Sequence, residues 1–395
     1  MKRAALAVAL AGLCAQAAAE NITPNLKFNG FGTASAAAVN KDQGGEYLRD
    51  TYTNYLGLTE DPNYTLESVL GLQFDYRIND KTSIVTQLVA KGSDYFDVNA
   101  EWAYIAYQFN DNLRGRAGHL GMPIFMYSDS IYVGQSYPWV RLPSELYHAI
   151  PTTSFSGADL LYRLPVGESW NFNAQVLTGA SNTPQFYTSN AVGTNLSLSN
   201  DSLLMRVGYT QSKLDNPAAD NTALQVDGEK TSFLNAGFIL DDGKWFVAGE
   251  FGQLKIDGWL SDWNAGYLSA GHYFGKWLPY VLASTTHTFN EQDCLDTGAC
   301  VLNIPGVANI DRLASSYLNQ TTYAIGAKYA VSSGLSIKSQ VDKVIPSSGS
   351  NGFVAYQDIP NPAPGAITPS PYDESTMAHN PTSFYVFTLA LTAAF

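Results

Sequence analysis

What the chain lacks narrows its class before any motif is read. Beyond residue 19 no stretch approaches the 18 or more consecutive apolar residues of an α-helical span, so any crossing of a bilayer must be made by strands. Cysteine is scarce, 3 in 395 residues, which excludes a disulfide-built scaffold and a cysteine-rich metal centre. Only 14% of residues are charged, with 22 Lys and Arg against 35 Asp and Glu. The formal charge of −13 disfavours nucleic acid as a partner and favours cations near the surface. His119, His148, His272, His287 and His379 stand in no metal-ligand spacing, and G-x-S-x-G, a P-loop, H-E-x-x-H and C-x-x-C are all missing. These absences point away from an enzyme and from any metal or other cofactor.

What is present is aromatic and rich in turns: 24 Tyr, 19 Phe and 33 Gly, a composition that a soluble β-helix or sandwich would share. Residues 1–19 read as a secretory signal, with Lys2 and Arg3, an Ala/Leu/Val run, and Ala17-Ala18-Ala19 before Glu20. Cys14 would suit a lipoprotein signal, but Leu13 stands before it where a small residue is needed. The mature chain is expected to begin at Glu20 and to form one domain over 20–395, since no linker-like shift in composition divides it.

The last strand carries the sharpest pattern. Tyr385, Phe387, Leu389, Leu391, Ala393 and Phe395 share one face, and Phe384, Val386, Thr388, Ala390, Thr392 and Ala394 the other. Period two with one apolar face fits a strand against lipid, or else the edge of a soluble sheet. Trp170, Phe172, Ala174 and Val176 likewise oppose Asn171, Asn173 and Gln175, and Leu66, Leu70, Leu72, Phe74, Tyr76 and Ile78 oppose Glu67, Gln73, Asp75 and Arg77. Leu335, Ile337 and Val341 oppose Lys338, Gln340 and Asp342. Polar second faces suit a wet lumen, while the stretch from Trp263 to Phe274 fits either orientation.

Strands are expected near 26–38, 66–78, 82–92, 98–109, 113–120, 153–164, 169–180, 191–199, 202–213, 230–240, 244–256, 263–274, 277–289, 320–331, 335–345 and 383–395. The count is sixteen, with 191–199 the weakest. Short turns such as Asn79-Asp80, Asn200-Asp201 and Asp241-Asp242-Gly243 fall at every second connection, as a barrel with both termini on one side requires. Among the longer connections, 346–382 is rich in Pro, Ser and Asn, and 290–319 holds Cys294 and Cys300. In an exported chain these two cysteines would close a small disulfide worth on the order of 2 kcal/mol, or else remain free thiols.

Sixteen strands enclose a lumen too wide for wall side chains to fill. Residues 121–152, between the fifth and sixth strands, are unusually aromatic for a loop in water. Folded inward, they would set Tyr127, Tyr132, Tyr137, Trp139 and Tyr147 against the wall and leave Ser128, Asp129, Ser130, Arg141 and Glu145 to face solute. Packing over the rim or into a subunit contact is the other arrangement open to them. On the wall, outward Leu113 and Ala117 turn Arg114 and Arg116 inward, and the same parity turns Arg77, Arg163 and Arg206 inward. An arginine on the lipid face would cost about 2–4 kcal/mol at the midplane. Each arginine either faces solute or pairs with a wall carboxylate such as Asp75 or Asp159. Trp102, Trp170, Trp245, Trp259, Trp263 and Trp277 suit interfacial girdles, though strand-end tryptophans also occur in ordinary cores.

Taken over its whole mature length, with sixteen strands, a long third outer loop and a terminal Phe395, the chain resembles the Gram-negative outer-membrane porins. The resemblance implies an all-β transmembrane antiparallel β-barrel with an inward-folded third loop, set in outer-membrane lipids, passing small hydrophilic solutes or ions, and assembling as a homotrimer. In that family acidic groups on the inward loop face basic residues on the wall. The corresponding acids here are Asp129 and Glu145, and the remaining pore-constriction candidates are Arg77, Arg114, Arg116, Arg163 and Arg141. The Pro-Glu-Phe-Gly-Gly stretch of the enteric general porins is absent. The acidic balance favours cations and the inward arginines favour anions. Charge at a constriction should dominate, because screening reaches only about 8 Å at physiological salt. A structural or adhesive barrel with a closed pore is the alternative class.

Overall fold

A sheet that presents one face of every strand to lipid leaves unpaired backbone at its edges until it closes on itself. The computed structural model describes residues 20–41, 45–48, 57–148, 150, 152–182, 186–215, 228–257, 262–288, 301–304, 308–311, 318–347, 350, 352–356 and 382–395. Sixteen long strands form the sheet: β1 Leu26–Val39, β2 Val69–Arg77, β3 Thr82–Lys91, β4 Val98–Gln108, β5 Leu113–Gly121, β6 Ser154–Val166, β7 Trp170–Asn182, β8 Tyr187–Ser199, β9 Leu203–Asp215, β10 Glu229–Asp241, β11 Trp245–Ile256, β12 Trp263–His272, β13 Trp277–Thr288, β14 Gln320–Ser332, β15 Leu335–Pro346 and β16 Phe384–Ala394. Each pairs antiparallel with the next, and β16 returns to β1 from Phe31 opposite Ala394 to Val39 opposite Val386. The chain is thus a closed all-β antiparallel barrel of the expected strand number. A short strand, Glu20–Thr23, doubles back along the start of β1.

The strand that the sequence marks most weakly, β8, begins at Tyr187 and carries a register shift between Ser189 and Val192, with Asn190 at φ 52°. That irregularity interrupts the period-two pattern and accounts for its faint signal. Short turns occupy every second connection, and four share one device. The side-chain oxygens of Asn79, Asn110, Asn200 and Asp242 accept the N–H groups two and three residues on. In the last of these, the N–H groups of Trp245 and Lys244 hold the Asp242 carboxyl below the usual carboxylate range.

The barrel seam is closed by the final residue. Gly30 and Phe395 exchange backbone hydrogen bonds of 2.9 Å, and the Phe395 ring lies 5.9 Å from Phe28. A Cβ on Gly30 would stand 2.3 Å from that ring. Gly30→Val is therefore expected to cost about 1–3 kcal/mol by overpacking. The cost would be read as a lower temperature for loss of the compact band in heat-modified electrophoresis, and an unchanged temperature would show that the ring has room to move.

Alternation along β13 and β16 is strict, and it separates the two faces of the wall. Outward lie Val281, Phe387 and Leu389, each at least half exposed, and inward lie Tyr280, Leu282, Val386 and Thr388. The inward face is not polar throughout, contrary to expectation. From β5 to β9 it carries Arg116, Asp159, Asn173, Gln175, Asn195 and Ser197, whereas from β10 to β13 it carries buried Phe233, Phe246, Tyr267 and Tyr280. Trp263 is also inward and buried, its ring tilted against Phe233 at 6.0 Å, so it does not belong to an interfacial girdle. Trp245 and Trp277 are exposed on the outer face beside short turns, as a girdle requires. At the long-connection end Tyr47, Leu48, Leu58, Phe353 and Val354 pack over Val344, Phe384 and Val386. The expected signal at 1–19, Cys14, the Cys294–Cys300 disulfide, Trp259 and much of 290–319 and 346–382 lie outside the described residues.

Candidate functional site

The apolar half of the inner wall is matched by the segment between β5 and β6. Phe125, Tyr127, Tyr137, Trp139, Leu146 and Tyr147 are buried with Phe233, Phe246, Tyr267 and Tyr280 in one cluster. Trp139 stands edge-on to Phe246 at 5.7 Å and to Tyr267 at 5.3 Å, and its indole N–H donates to Ser269 Oγ at 2.9 Å. Burying such rings against apolar wall removes area that water would solvate poorly, and the one polar handle finds an acceptor.

Polar anchors fix the segment at both ends and in the middle. Glu250 of β11 accepts the Met126 N–H at 2.7 Å, the Tyr147 hydroxyl at 2.5 Å and Asn235 Nδ2 at 2.7 Å. Arg206 of β9 donates to the carbonyls of Phe125 and Pro123 and to Asn195 Oδ1. Lys338 of β15, fully buried, donates to the carbonyls of Gly134, Tyr137 and Trp139 and sits 4.6 Å from the Tyr137 ring centre. Lys328 of β14 donates to the Gln135 carbonyl at 2.8 Å. These cations hold main-chain oxygens, so their grip does not depend on which side chains the segment carries.

The structure separates six of the seven expected constriction residues into three groups and sets Asp129 apart. Arg141 and Glu145 are not free to face solute, and neither is Ser128, whose hydroxyl accepts the Phe125 N–H. Arg141 donates to Glu67 at 2.5 Å, to Asp342 at 2.6 Å and to Thr388 at 2.6 Å. Burial alone would lower the pKa of its guanidinium, but the two carboxylates outweigh that and raise it above the ordinary value. Glu145 accepts from Ser284, Gln320 and Thr322 of β13 and β14. The physical reason is the same for both: a charge carried into the packed half of the barrel persists only where the wall supplies partners.

Arg116 forms the second group, because it is neutralised. Its guanidinium makes two bonds to Asp159, which also accepts from Gln175, and it lies 5.3 Å from the Tyr104 ring. In the third group are Arg77, Arg114 and Arg163, none of which has an ion pair among the described residues. Arg163 donates to Asn171 Oδ1 at 3.2 and 3.0 Å. Asp129 is exposed in the turn Ser128–Ser130, and its charge acts on both Arg116 and Arg206. Glu250 and Gln320 escaped the sequence reading, and Glu67 was read only as part of a polar face, not as a partner of Arg141. Inward parity marks Glu250 and Gln320 on their strands, but it does not say which inward groups would meet a segment from across the lumen.

No protein-family model matches the sequence, and no curated protein matches it. Compared by fold, the chain is similar to OmpF of Salmonella typhi, solved in complex with daunomycin, at 12% identity and a TM-score of 0.56, covering 94% of this chain and 98% of that one. It is similar to an anion-selective porin from Comamonas acidovorans at 14% identity and a TM-score of 0.53, over 94% and 99%. It is similar as well to in-vitro folded OmpT of Vibrio cholerae in its trimer form, at 11% identity and a TM-score of 0.53, over 94% and 99%. The chain thus shares the closed antiparallel barrel fold of these Gram-negative outer-membrane proteins.

Proposed function

We propose that this chain is a passive channel of the outer membrane, not an enzyme, through which small hydrophilic solutes or ions diffuse without any cofactor. On this reading residues 1–19 are removed on export, and 121–152 narrow the lumen by occupying its apolar half. Solute then passes between that segment and the polar arc of β2 to β9. The observation that carries the proposal is the division of the inner wall, with an amide- and arginine-lined arc left opposite a tightly anchored segment. A homotrimer is the assembly we infer, in keeping with the trimer form of the Vibrio cholerae protein.

The same reading assigns selectivity. Arg77, Arg114 and Arg163 lack acidic partners among the described residues, so the local field along the arc favours anions in spite of the formal charge of −13. In planar bilayers the purified protein is expected to conduct, and a salt gradient should give a reversal potential of anion-selective sign that moves toward the cation side in the Arg77→Ala, Arg114→Ala, Arg163→Ala triple variant. Absence of stable conductance at any voltage would overturn the channel and favour a closed adhesive or structural barrel. The dense packing of Phe125, Tyr127 and Trp139 is the feature that would support that second reading.

A further inference from the structure

Most charges on the polar arc are already engaged. Arg116 is bound to Asp159, Arg206 holds two main-chain carbonyls, and Asp75 accepts from Gln73 and Asn29. Among the described residues three guanidinium groups remain without an ion pair, those of Arg77, Arg114 and Arg163, and the register sets the last two side by side. Arg114 is opposite Leu161 in the β5–β6 pair. Arg163 lies two residues beyond Leu161, tied to Asn112 through its N–H at 2.8 Å and its carbonyl at 2.6 Å. Side chains in that diagonal relation share a face and stand about 7–8 Å apart at Cα. Arg116 and Asp159 fix the face as the inner one, two residues from Arg114 and four from Arg163.

Adjacent like charges repel, and a wall that keeps such a pair without an acid is less stable for it. Neither Arg114 nor Arg163 has a carboxylate within ion-pair distance among the described residues, although Asp111 and Glu168 occupy the neighbouring short turns. Among the described residues the one side-chain hydrogen-bond partner of the Arg163 head group is the neutral amide oxygen of Asn171, while Asn173 is its register neighbour on β7. A guanidinium is a planar fork whose N–H groups suit the paired oxygens of an oxyanion, and two forks at this spacing suit an ion of two or more charges better than a monovalent one.

We propose that Arg114 and Arg163, flanked by the amides of Asn171 and Asn173, form a binding site for multivalent oxyanions at the short-turn mouth of the lumen. The site lies at that mouth because Arg114 is the second residue of β5 and Arg163 stands near the end of β6. It refines the anion preference proposed above and rests on the pore reading for its accessibility from one side. Its ligand is defined by charge and geometry: inorganic phosphate and sulfate should bind, and chloride and acetate should not saturate it.

The test uses the full mature chain in detergent. Calorimetric titration with sulfate and with phosphate, at ionic strength held constant with chloride, is expected to show saturable binding. Arg114→Gln and Arg163→Gln should each weaken it by about tenfold or more, as the loss of one bidentate partner implies. Lys244→Gln, in the exposed short turn before β11, should leave it unchanged. Both arginine variants should be at least as heat-stable as the parent without oxyanion, because a repulsion is removed, and should gain less from added sulfate. In bilayers, sulfate on one side should reduce chloride current and sulfate on the other should do so less. A response that is non-saturating, or the same in the parent and both variants, overturns the site while leaving a conducting channel intact. Saturable binding in a protein that never conducts supports the site and overturns the pore.

Discussion

Arg141→Ala should lower the unfolding free energy by about 3–5 kcal/mol, the cost of removing one partner from a buried charge cluster. The residue is 8% exposed and holds together groups far apart in sequence: Glu67 before β2, Asp342 on β15 and Thr388 on β16. Alanine would leave two carboxylates facing each other with no cation, and Gln340, which already donates to Asp342 at 2.6 Å, cannot neutralise them. The loss should appear as a lower midpoint in denaturant with little change in slope. A companion variant separates the causes: Arg141→Met combined with Glu67→Gln and Asp342→Asn removes all three charges, and well-packed neutral replacements of buried ion pairs are often nearly neutral in cost. Recovery of most of the midpoint would assign the loss to the stranded carboxylates. If the triple variant were as unstable as Arg141→Ala, the contribution of Arg141 would lie in packing and in its bond to Thr388.

The strand count and the lipid face were legible because period two is a local property. Tyr385, Phe387 and Leu389 declare their face within six residues, and Asn79, Asn110 and Asn200 declare the turns by themselves. β8 was the exception, since the shift at Ser189–Val192 flips the pattern midway. The inner face was only half legible. Parity says that Arg116, Glu250 and Lys338 point inward, but whether an inward group meets water, a wall partner or a crossing segment depends on residues distant in sequence, 204 positions in the case of Lys338 and Gly134. Arg141 illustrates this, since nothing near it in sequence announces Asp342. Arg114 and Arg116, two residues apart with equal claims by pattern, differ because Asp159 lies opposite one and Leu161 opposite the other.

The aromatic rings of 121–152 are buried against the wall, and its charged Arg141 and Glu145 are buried with them. Solubility alone would send Arg141 and Glu145 toward solute. The far wall instead supplies Glu67 and Asp342 to one, and Ser284, Gln320 and Thr322 to the other. A consequence is that the segment's polar side chains anchor it more than they line a path, and the groups left to meet solute belong mainly to the wall. On the proposed channel reading, selectivity resides in Arg77, Arg114 and Arg163 and in Asp129, and the anchors determine only how wide the path is.

Lys338→Met should alter that width without touching the charged arc. The lysine is fully buried, has no ion pair among the described residues, and directs its ammonium at the carbonyls of Gly134, Tyr137 and Trp139. Methionine matches its length but donates nothing, so three buried acceptors lose their partner at about 1–3 kcal/mol each. Against this stands relief of the desolvation of an unpaired ammonium, which is worth several kcal/mol. The two nearly offset, and global stability should fall by only about 2 kcal/mol. The local effect should be larger, because among the described residues the stretch from Gly134 to Trp139 would be held to the wall by its ring contacts, the Gln135 bonds to Lys328, Ser333 and Thr392, and the Trp139 bond to Ser269. Single-channel records of Lys338→Met are expected to show greater open-channel noise and altered conductance at unchanged ion selectivity. In Lys338→Ala the vacated space presents three carbonyl oxygens and the Tyr137 ring, a set that suits an ammonium ion. Adding n-propylammonium should quiet that variant, whereas tetramethylammonium, which has no N–H to donate, should not. Equal behaviour of the two cations would show that the carbonyls do not require a donor and that Lys338 fills space without holding the segment.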